Sequence, residues 1–341
     1  MRLPDYDHRM QRPRYLPDNF TLSLLATVVL ASLVPCSGIW GDVFGVLTKV
    51  AVGALFFLHG VKLSGAAVRQ GALHWRLHAC ILASTFFLYP LLGLAVGPIA
   101  ALVTTPELYL GILFLCALPS TIQSSIALTS LARGNVPAAV CSASASTMIG
   151  IFVTPLIAGM LMATHGTPTA ALSSIGPVVA QLLLPFLAGQ LARRWIGAWV
   201  GRHKAVLSHV DRGTVLLVVY TAFSASVIQG LWQRLPLPAL AGLVALVALL
   251  LALALVLARL GARRLGLDTE DEVTIVFCGA QKSLASGVPM AQVLFAADLV
   301  GAVVLPVMLY HPMQLMVCAA VAQRYARRED GAGLKATPER A

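Results

Sequence analysis

Apolar residues in this chain fall into ten long runs, roughly 20–39, 43–61, 78–98, 108–131, 136–162, 173–192, 213–231, 238–258, 273–295 and 301–322. A helix rises about 1.5 Å per residue, so about 20 apolar residues cross the ~30 Å hydrocarbon of a bilayer. The period-two alternation of a membrane barrel strand is absent, and the connections are short. The pattern therefore predicts an all-α polytopic membrane protein with ten transmembrane helices. The fourth and ninth runs are interrupted by polar residues, glycine and proline.

Composition agrees. Of 341 residues, 58% are hydrophobic and 11% charged, against about 25% charged in soluble domains. Soluble enzymes, nucleic-acid binders and disordered chains are all excluded by so few charges. The net charge of +10 (24 Lys+Arg against 14 Asp+Glu) is a topology signal. With the N-terminus placed in the cytoplasm, 21 of the 24 cations lie on inner segments, in four groups that run from Arg2 to Arg14, Lys62 to Arg76, Arg193 to Arg212 and Arg259 to Arg264, together with Arg133 and the C-terminal tail. Arg234 alone lies outside, while Lys49 and Lys282 fall within runs. Cytoplasmic loops carry such an excess of Lys and Arg. Both termini are thus expected inside, and the Ala- and Leu-rich composition without organelle signals places this multi-pass chain in the bacterial inner (plasma) membrane. Six cysteines, at 36, 80, 116, 141, 278 and 318, are widely spaced and lack metal-ligand spacing, so they read as packing residues. The three G-x-x-x-G matches, at 41–45, 93–97 and 197–201, sit at run ends or in loops and carry no weight.

The segment Arg193 to Arg212 reads as the longest connection and divides the runs five and five. An odd number of spans per half turns the second half upside down relative to the first. The expected plan is a cytoplasmic arm 1–19, a domain 20–322 built from repeats 20–162 and 173–322, and a cytoplasmic tail 323–341. Inverted repeats are a recurring transporter architecture, with the substrate site near the midplane.

The interrupted spans hold corresponding places in the two halves. In the fourth, the apolar run meets Leu118-Pro119-Ser120-Thr121-Ile122-Gln123-Ser124-Ser125 and ends at Leu131-Ala132-Arg133-Gly134-Asn135. In the ninth, Ile275-Val276-Phe277 meets Cys278-Gly279-Ala280-Gln281-Lys282-Ser283-Leu284-Ala285-Ser286-Gly287, with Pro289 beyond. Unwound backbone is tolerated in a membrane only inside protein or along a watery cavity. Half-helix N-termini aim partial positive charge at the midplane, which suits an anion. The candidate binding residues are Gln123, Ser124, Ser125, Thr129, Gln281, Lys282, Ser283 and His311. Pro119, Gly279, Gly287 and Pro289 shape the breaks. Ordinary kinks with Ser and Thr packing between helices are the competing explanation.

Lys282 lies nine residues into its run, near the bilayer centre, where a lysine is costly unless hydrated, paired or neutral. No predicted span holds Asp or Glu. A substrate anion, the carbonyls of the broken helices, or loss of the proton remain as ways to accommodate it. Lys49 reads as reaching the outer interface. His311, next to Pro312, is placed with Gln314 either to line the same cavity or to pack. Gln181 and Gln190 in the sixth run are similarly open.

At the two interruptions the chain resembles the bile acid:sodium symporter family, and more closely its SBF-like branch. Pro119 to Asn135, Val136-Pro137-Ala138-Ala139, Thr154-Pro155-Leu156 and Cys278 to Pro289 carry the resemblance, which extends over 20–322. It implies a panel of spans 1, 2, 6 and 7, a core of spans 3–5 and 8–10, crossed broken helices 4 and 9, and alternating access. It also implies transport of organic anions coupled to sodium. Where sodium-coupled members have a ligating glutamate this chain has Phe277. Their fifth-span hydroxyls align with Ala139 and Ala143, and an asparagine aligns with Lys282. Ser125 and Gln281 match polar positions of the family's ion site. The expectation is a Lys282 ammonium in the electrostatic role of sodium, with transport sodium-independent or proton-linked.

The expected partners are a small organic anion and the lipid bilayer, with no nucleic acid, no enzyme activity and no cofactor, a sodium ion at Ser125 and Gln281 or a coupled proton being the alternatives left open. A non-transporting receptor on the same fold is the alternative. An intramembrane enzyme would need paired acids, a metal motif or a nucleophile with its base.

Overall fold

The computed structural model describes residues 19–62, 74–163 and 168–327. Most of the expected terminal arm and tail, and the side chains of Gln181, Lys204 and Arg234, lie outside the described residues. The elements are α1 (Asn19–Leu33), α2 (Gly38–Lys62), α3 (Trp75–Ala95), α4 (Gly97–Val103), α5 (Pro106–Ala117), α6 (Ile122–Leu131), α7 (Val136–Ala163), α8 (Pro168–Arg202), α9 (Lys204–Ile228), α10 (Leu231–Arg234), α11 (Leu237–Arg264), α12 (Thr269–Ala280), α13 (Leu284–Leu294) and α14 (Ala297–Ala326). Among the described residues there is no strand.

Among the described residues six helices (α2, α3, α7, α9, α11 and α14) are long and apolar enough to cross a membrane. The bent pair α5–α6, turned by 64° at residues 118–121, makes a seventh. The exterior is apolar in the way lipid requires: Leu102, Ile39 and Leu237 are 81–85% exposed. In a soluble protein such a surface would aggregate.

The structure changes two expectations. The connection Arg193–Arg212 is itself almost wholly helical. It is helical on both sides of His203, because Ala, Leu, Arg and Trp without proline extend a helix as readily as apolar residues do. The first run also ends early, at Leu33, ahead of Pro35.

Helices α1, α2, α8 and α9 pack on one another, and α3, α5–α7 and α11–α14 form a second group around the breaks. The hydrogen bonds that join the groups among the described residues lie in the half of the bundle away from the termini. There Ser226 Oγ donates to Asp298 O (3.0 Å) and accepts from Gly301 N (3.1 Å). Gln292 Nε2 donates to Val218 O and Thr221 Oγ1 (both 3.4 Å). Neither α6 nor α12 has an extensive contact with the first group.

Within that group α2 and α8 meet backbone to backbone through a reciprocal glycine pair. A Cβ on Gly60 would strike Phe186 O, and one on Gly189 would strike Phe57 O. Small residues drive helix pairing in lipid because they admit such contact. Gly93 and Gly97, discounted in the sequence, do the same for Cys116 and the Tyr109 hydroxyl, whereas Gly45 and Gly201 face open space. Gly189→Ala is therefore expected to destabilise the protein by about 1–3 kcal/mol through overpacking. Gly45→Ala should cost nothing. Melting of the two variants in detergent checks this, and equal melting temperatures would refute it.

Candidate functional site

Breaking a helix leaves the last carbonyls of its first half without partners, and in a membrane interior each must find one. At the end of α5 every carbonyl from Leu115 to Pro119 is accounted for. Leu115 O takes the Leu118 amide (3.2 Å), and Ala117 O takes the Thr154 hydroxyl (2.8 Å). The Ser120 amide, which would close a helical bond on Cys116 O, goes instead to Ser146 Oγ (3.0 Å). Cys116 O and Leu118 O then accept from Lys282 Nζ at 2.9 and 2.7 Å. Pro119 O accepts from the Ser283 amide (2.9 Å), which ties the two breaks together directly.

The third acceptor of Lys282 comes from a local irregularity. Residues Ser84–Leu88 of α3 form one turn of π-helix, in which Tyr89 N bonds Ser84 O five residues back. In that register the next donor, to Thr85 O, would be residue 90. It is Pro90, which has no N–H. The freed Thr85 carbonyl receives Lys282 Nζ at 2.9 Å. The amine also lies 4.1 Å from the centroid of the Tyr89 ring, within cation–π range. Lys282 is 1% exposed. Backbone carbonyls, one of the three accommodations open from sequence, surround the amine.

The end of α12 is satisfied from the opposite side. Ser120 Oγ donates to Cys278 O (2.6 Å), Ser84 Oγ to Gly279 O (3.3 Å), and the Tyr89 and Tyr310 hydroxyls both to Ala280 O (2.7 Å each). Gln314 clamps the peptide of Lys282: its Oε1 accepts from Lys282 N (2.8 Å) and its Nε2 donates to Lys282 O (2.9 Å). Thr121 Oγ1 donates to the same carbonyl (3.0 Å). Gly279 and Gly287 are glycine because a Cβ would meet Ser84 Oγ at 2.9 Å and Leu118 Cδ1 at 2.5 Å.

The sequence candidates divide by environment. Lys282, Gln281, Ser283, Ser124 and Ser125 gather at the breaks, with Ser124 Oγ on Gln281 Oε1 (2.6 Å) and Ser125 Oγ 3.3 Å from Ser120 Oγ. Ser283 caps α13 by accepting from Ser286 N (3.2 Å), and Pro289 lies inside that helix. Thr129 is buried and faces the Cys278 thiol. Gln281 Nε2 finds no oxygen or nitrogen acceptor among the described residues and faces the Cys318 thiol. His311 is half-buried, its Nδ1 3.1 Å from Gln314 Nε2, so it backs the Gln314 clamp. Gln123 is exposed, and with Ala127 and Ser130 it forms one face of α6. Phe277 is fully buried against the Tyr325 ring (centroids 6.2 Å apart). Lys49 is exposed on α2. Among the described residues no His/Cys/Asp/Glu group could hold a metal ion.

Comparison with known proteins decides the family. The description of the SBF-like CPA transporter family matches residues 18–327. The chain belongs to that family. It is 62% identical to an uncharacterized protein of Pseudomonas aeruginosa over 95% of this chain and 97% of that one. It is 48% identical to the Escherichia coli protein named "Putative symporter YfeH" (92% and 94%). It is 26% identical to sodium/bile acid cotransporter 7-B of Xenopus laevis (87% and 88%). The protein is a multi-pass membrane secondary transporter of a small molecule, not an enzyme.

Several residues that hold the two breaks of this SBF-like protein together were not among the sequence candidates: Thr85, Tyr89, Ser120, Thr121, Ser146 and Tyr310. Tyr89-Pro90 was the available signal for the π turn. The others are Ser, Thr and Tyr in apolar runs, which look the same whether they bond their own helix or a neighbour's freed carbonyl.

Proposed function

We propose that this protein moves a small organic anion by alternating access, without sodium, and that the Lys282 ammonium is a tethered replacement for the coupling cation. The observation that carries the reading is the three-carbonyl seat of Lys282 Nζ. An ammonium has three N–H donors and a neutral amine two, so three converging carbonyls match the charged form. Two of those carbonyls terminate α5, where the helix dipole is negative and a cation is stabilised. The alignment that replaces a glutamate by buried Phe277, and two hydroxyls by buried Ala139 and Ala143, removes oxygens that a sodium ion would need.

The start of α6 supports an anion. Thr121, at the N-cap, donates its hydroxyl to Lys282 O and makes no side-chain cap, so the first amides of α6 keep their partial positive charge. They sit beside exposed Gln123, on the flank of α6 that the α1–α2–α8–α9 group leaves uncovered toward the termini. In this reading that group is the panel, the remaining helices are the core of two inverted five-helix repeats, and the crevice opens to the cytoplasm. The distribution of Lys and Arg supports cytoplasmic termini.

The relatives named as bile acid cotransporters make cholate a reasonable large probe and benzoate a small one. In sodium-free potassium buffer, at least one of these carboxylates is expected to raise the melting temperature of the detergent-purified protein. Replacing potassium by sodium should add nothing. A shift that appears only in sodium would overturn the proposed ion independence. No shift from either carboxylate, with a shift from an uncharged analogue, would overturn the anion.

A further inference from the structure

The end of α6 carries a device that the transport reading does not by itself require. The helix closes in a Schellman arrangement, with Gly134 N on Thr129 O (2.8 Å) and Arg133 N on Ser130 O (3.1 Å). Such a turn needs one residue with positive φ, and glycine normally supplies it. Here Arg133 does, at φ 56°, while the adjacent glycine does not. A side chain in this conformation costs about 1–2 kcal/mol. The glycine is needed one position later. A Cβ on Gly134 would come within 2.6 Å of Val273 Cγ1 and 3.1 Å of Glu270 O. The strain at Arg133 therefore accompanies a close approach of this turn to the first turn of α12.

Asn135 completes the contact. Its amide donates to Glu270 O (3.2 Å) and Thr274 Oγ1 (3.0 Å), and its Nδ2 to Asp271 Oδ1 (2.9 Å). Its Oδ1 accepts from Ala138 N and so caps α7 (3.1 Å). Asp271 is 8% exposed and makes no ion pair with the cations of the described residues, so this amide is the donor seen to stabilise its carboxylate. Hydrogen bonds to a charged group are worth about 1.5–3 kcal/mol, more than neutral ones.

At their other ends the same two half-helices are joined by Ser124 Oγ on Gln281 Oε1 and by Ser120 Oγ on Cys278 O. α6 and α12 are thus tied at both ends. We propose that Asn135 is a positioning residue: through Asp271 it makes the two broken helices one rigid body that stays joined as the protein changes the side to which it opens. The inference rests on the transport reading for its consequence but not for its geometry. A transporter in which one half-helix lags would lose the crossover during each cycle.

The test uses a reciprocal exchange in the full chain. Asn135→Asp sets two carboxylates against each other, and Asp271→Asn alone removes the acceptor's charge. The double variant Asn135→Asp with Asp271→Asn restores one carboxylate and one amide in swapped positions, with the α7 cap intact. Cholate or benzoate counterflow in proteoliposomes is the transport readout. Asn135→Asp is expected to lower Vmax about tenfold or more, the loss of one charged hydrogen bond, with little change in KM. The double variant should return to within about threefold of the wild type.

Hydrogen exchange of the purified protein supplies the independent readout. Amides of α6 and α12 should exchange together in the wild type and in the double variant, and α6 should exchange faster in Asn135→Asp. Vmax unchanged in the single variant, or a double variant no better than the single, would overturn the proposal. If exchange shows the expected coupling but the wild type carries neither anion, the transport reading fails and the joined pair stands.

Discussion

Lys282→Met is expected to lower the melting temperature of the purified protein by about 5 °C or more and to abolish transport. Methionine retains most of the stem's volume, so the loss is confined to the charge and its donors. Three buried carbonyls, Thr85, Cys116 and Leu118, lose their side-chain donor at once. A buried acceptor left unsatisfied costs about 1–3 kcal/mol, so the sum is at least about 3 kcal/mol, and each kcal/mol moves the melting point by a few degrees. Lys282→Arg should not rescue it. A planar guanidinium spreads its donors in a fork and fits a point where three carbonyls converge poorly. Differential scanning fluorimetry measures the shift. A methionine variant as stable and as active as the wild type would show that the seat contributes nothing.

Gln314→Leu is the second large effect. Its amide satisfies both polar groups of the Lys282 peptide, at 2.8 and 2.9 Å, and Thr121 covers only the carbonyl. The variant leaves the Lys282 amide buried without its Gln314 acceptor and removes the Gln314 Nε2 contact to His311 Nδ1. We expect a loss of about 2 kcal/mol and transport reduced more than stability, because the displaced peptide carries the ammonium. Gln314→Glu keeps an acceptor for the amide but sets a carboxylate against Lys282 O, so it should be no better. Melting temperature and counterflow on the same preparations separate the two effects. Transport that survives in Gln314→Leu would mean that the clamp serves the fold alone.

The sequence located both breaks because proline, glycine and consecutive polar residues in an apolar run have few other physical meanings. Residues 118–121 and 281–283 leave the helix where Pro119 and the Gly279-Ala280-Gln281 stretch indicated. It also isolated Lys282, since a lone cation in a span has no bland partner. The π turn at Ser84–Leu88 was not legible, because it depends on a proline just beyond it within an otherwise ordinary apolar run. Arg193–Arg212 reads as a connection between spans, and that it stays helical on both sides of His203 was not legible, because charge neither marks nor breaks a helix. The Leu131-Ala132-Arg133-Gly134-Asn135 end of the fourth span was recognised as a pattern, but its chemistry was not. That chemistry depends on what Asp271 and Val273 place opposite it.

The central claim is that a fixed ammonium replaces a mobile cation at the crossover. The direct measurement is initial uptake of the stabilising carboxylate into proteoliposomes under an inward sodium gradient, compared with potassium at equal ionic strength. The account predicts equal rates in the two salts for the wild type and no transport in either for Lys282→Met. Uptake strongly stimulated by sodium and unchanged in Lys282→Met would contradict it.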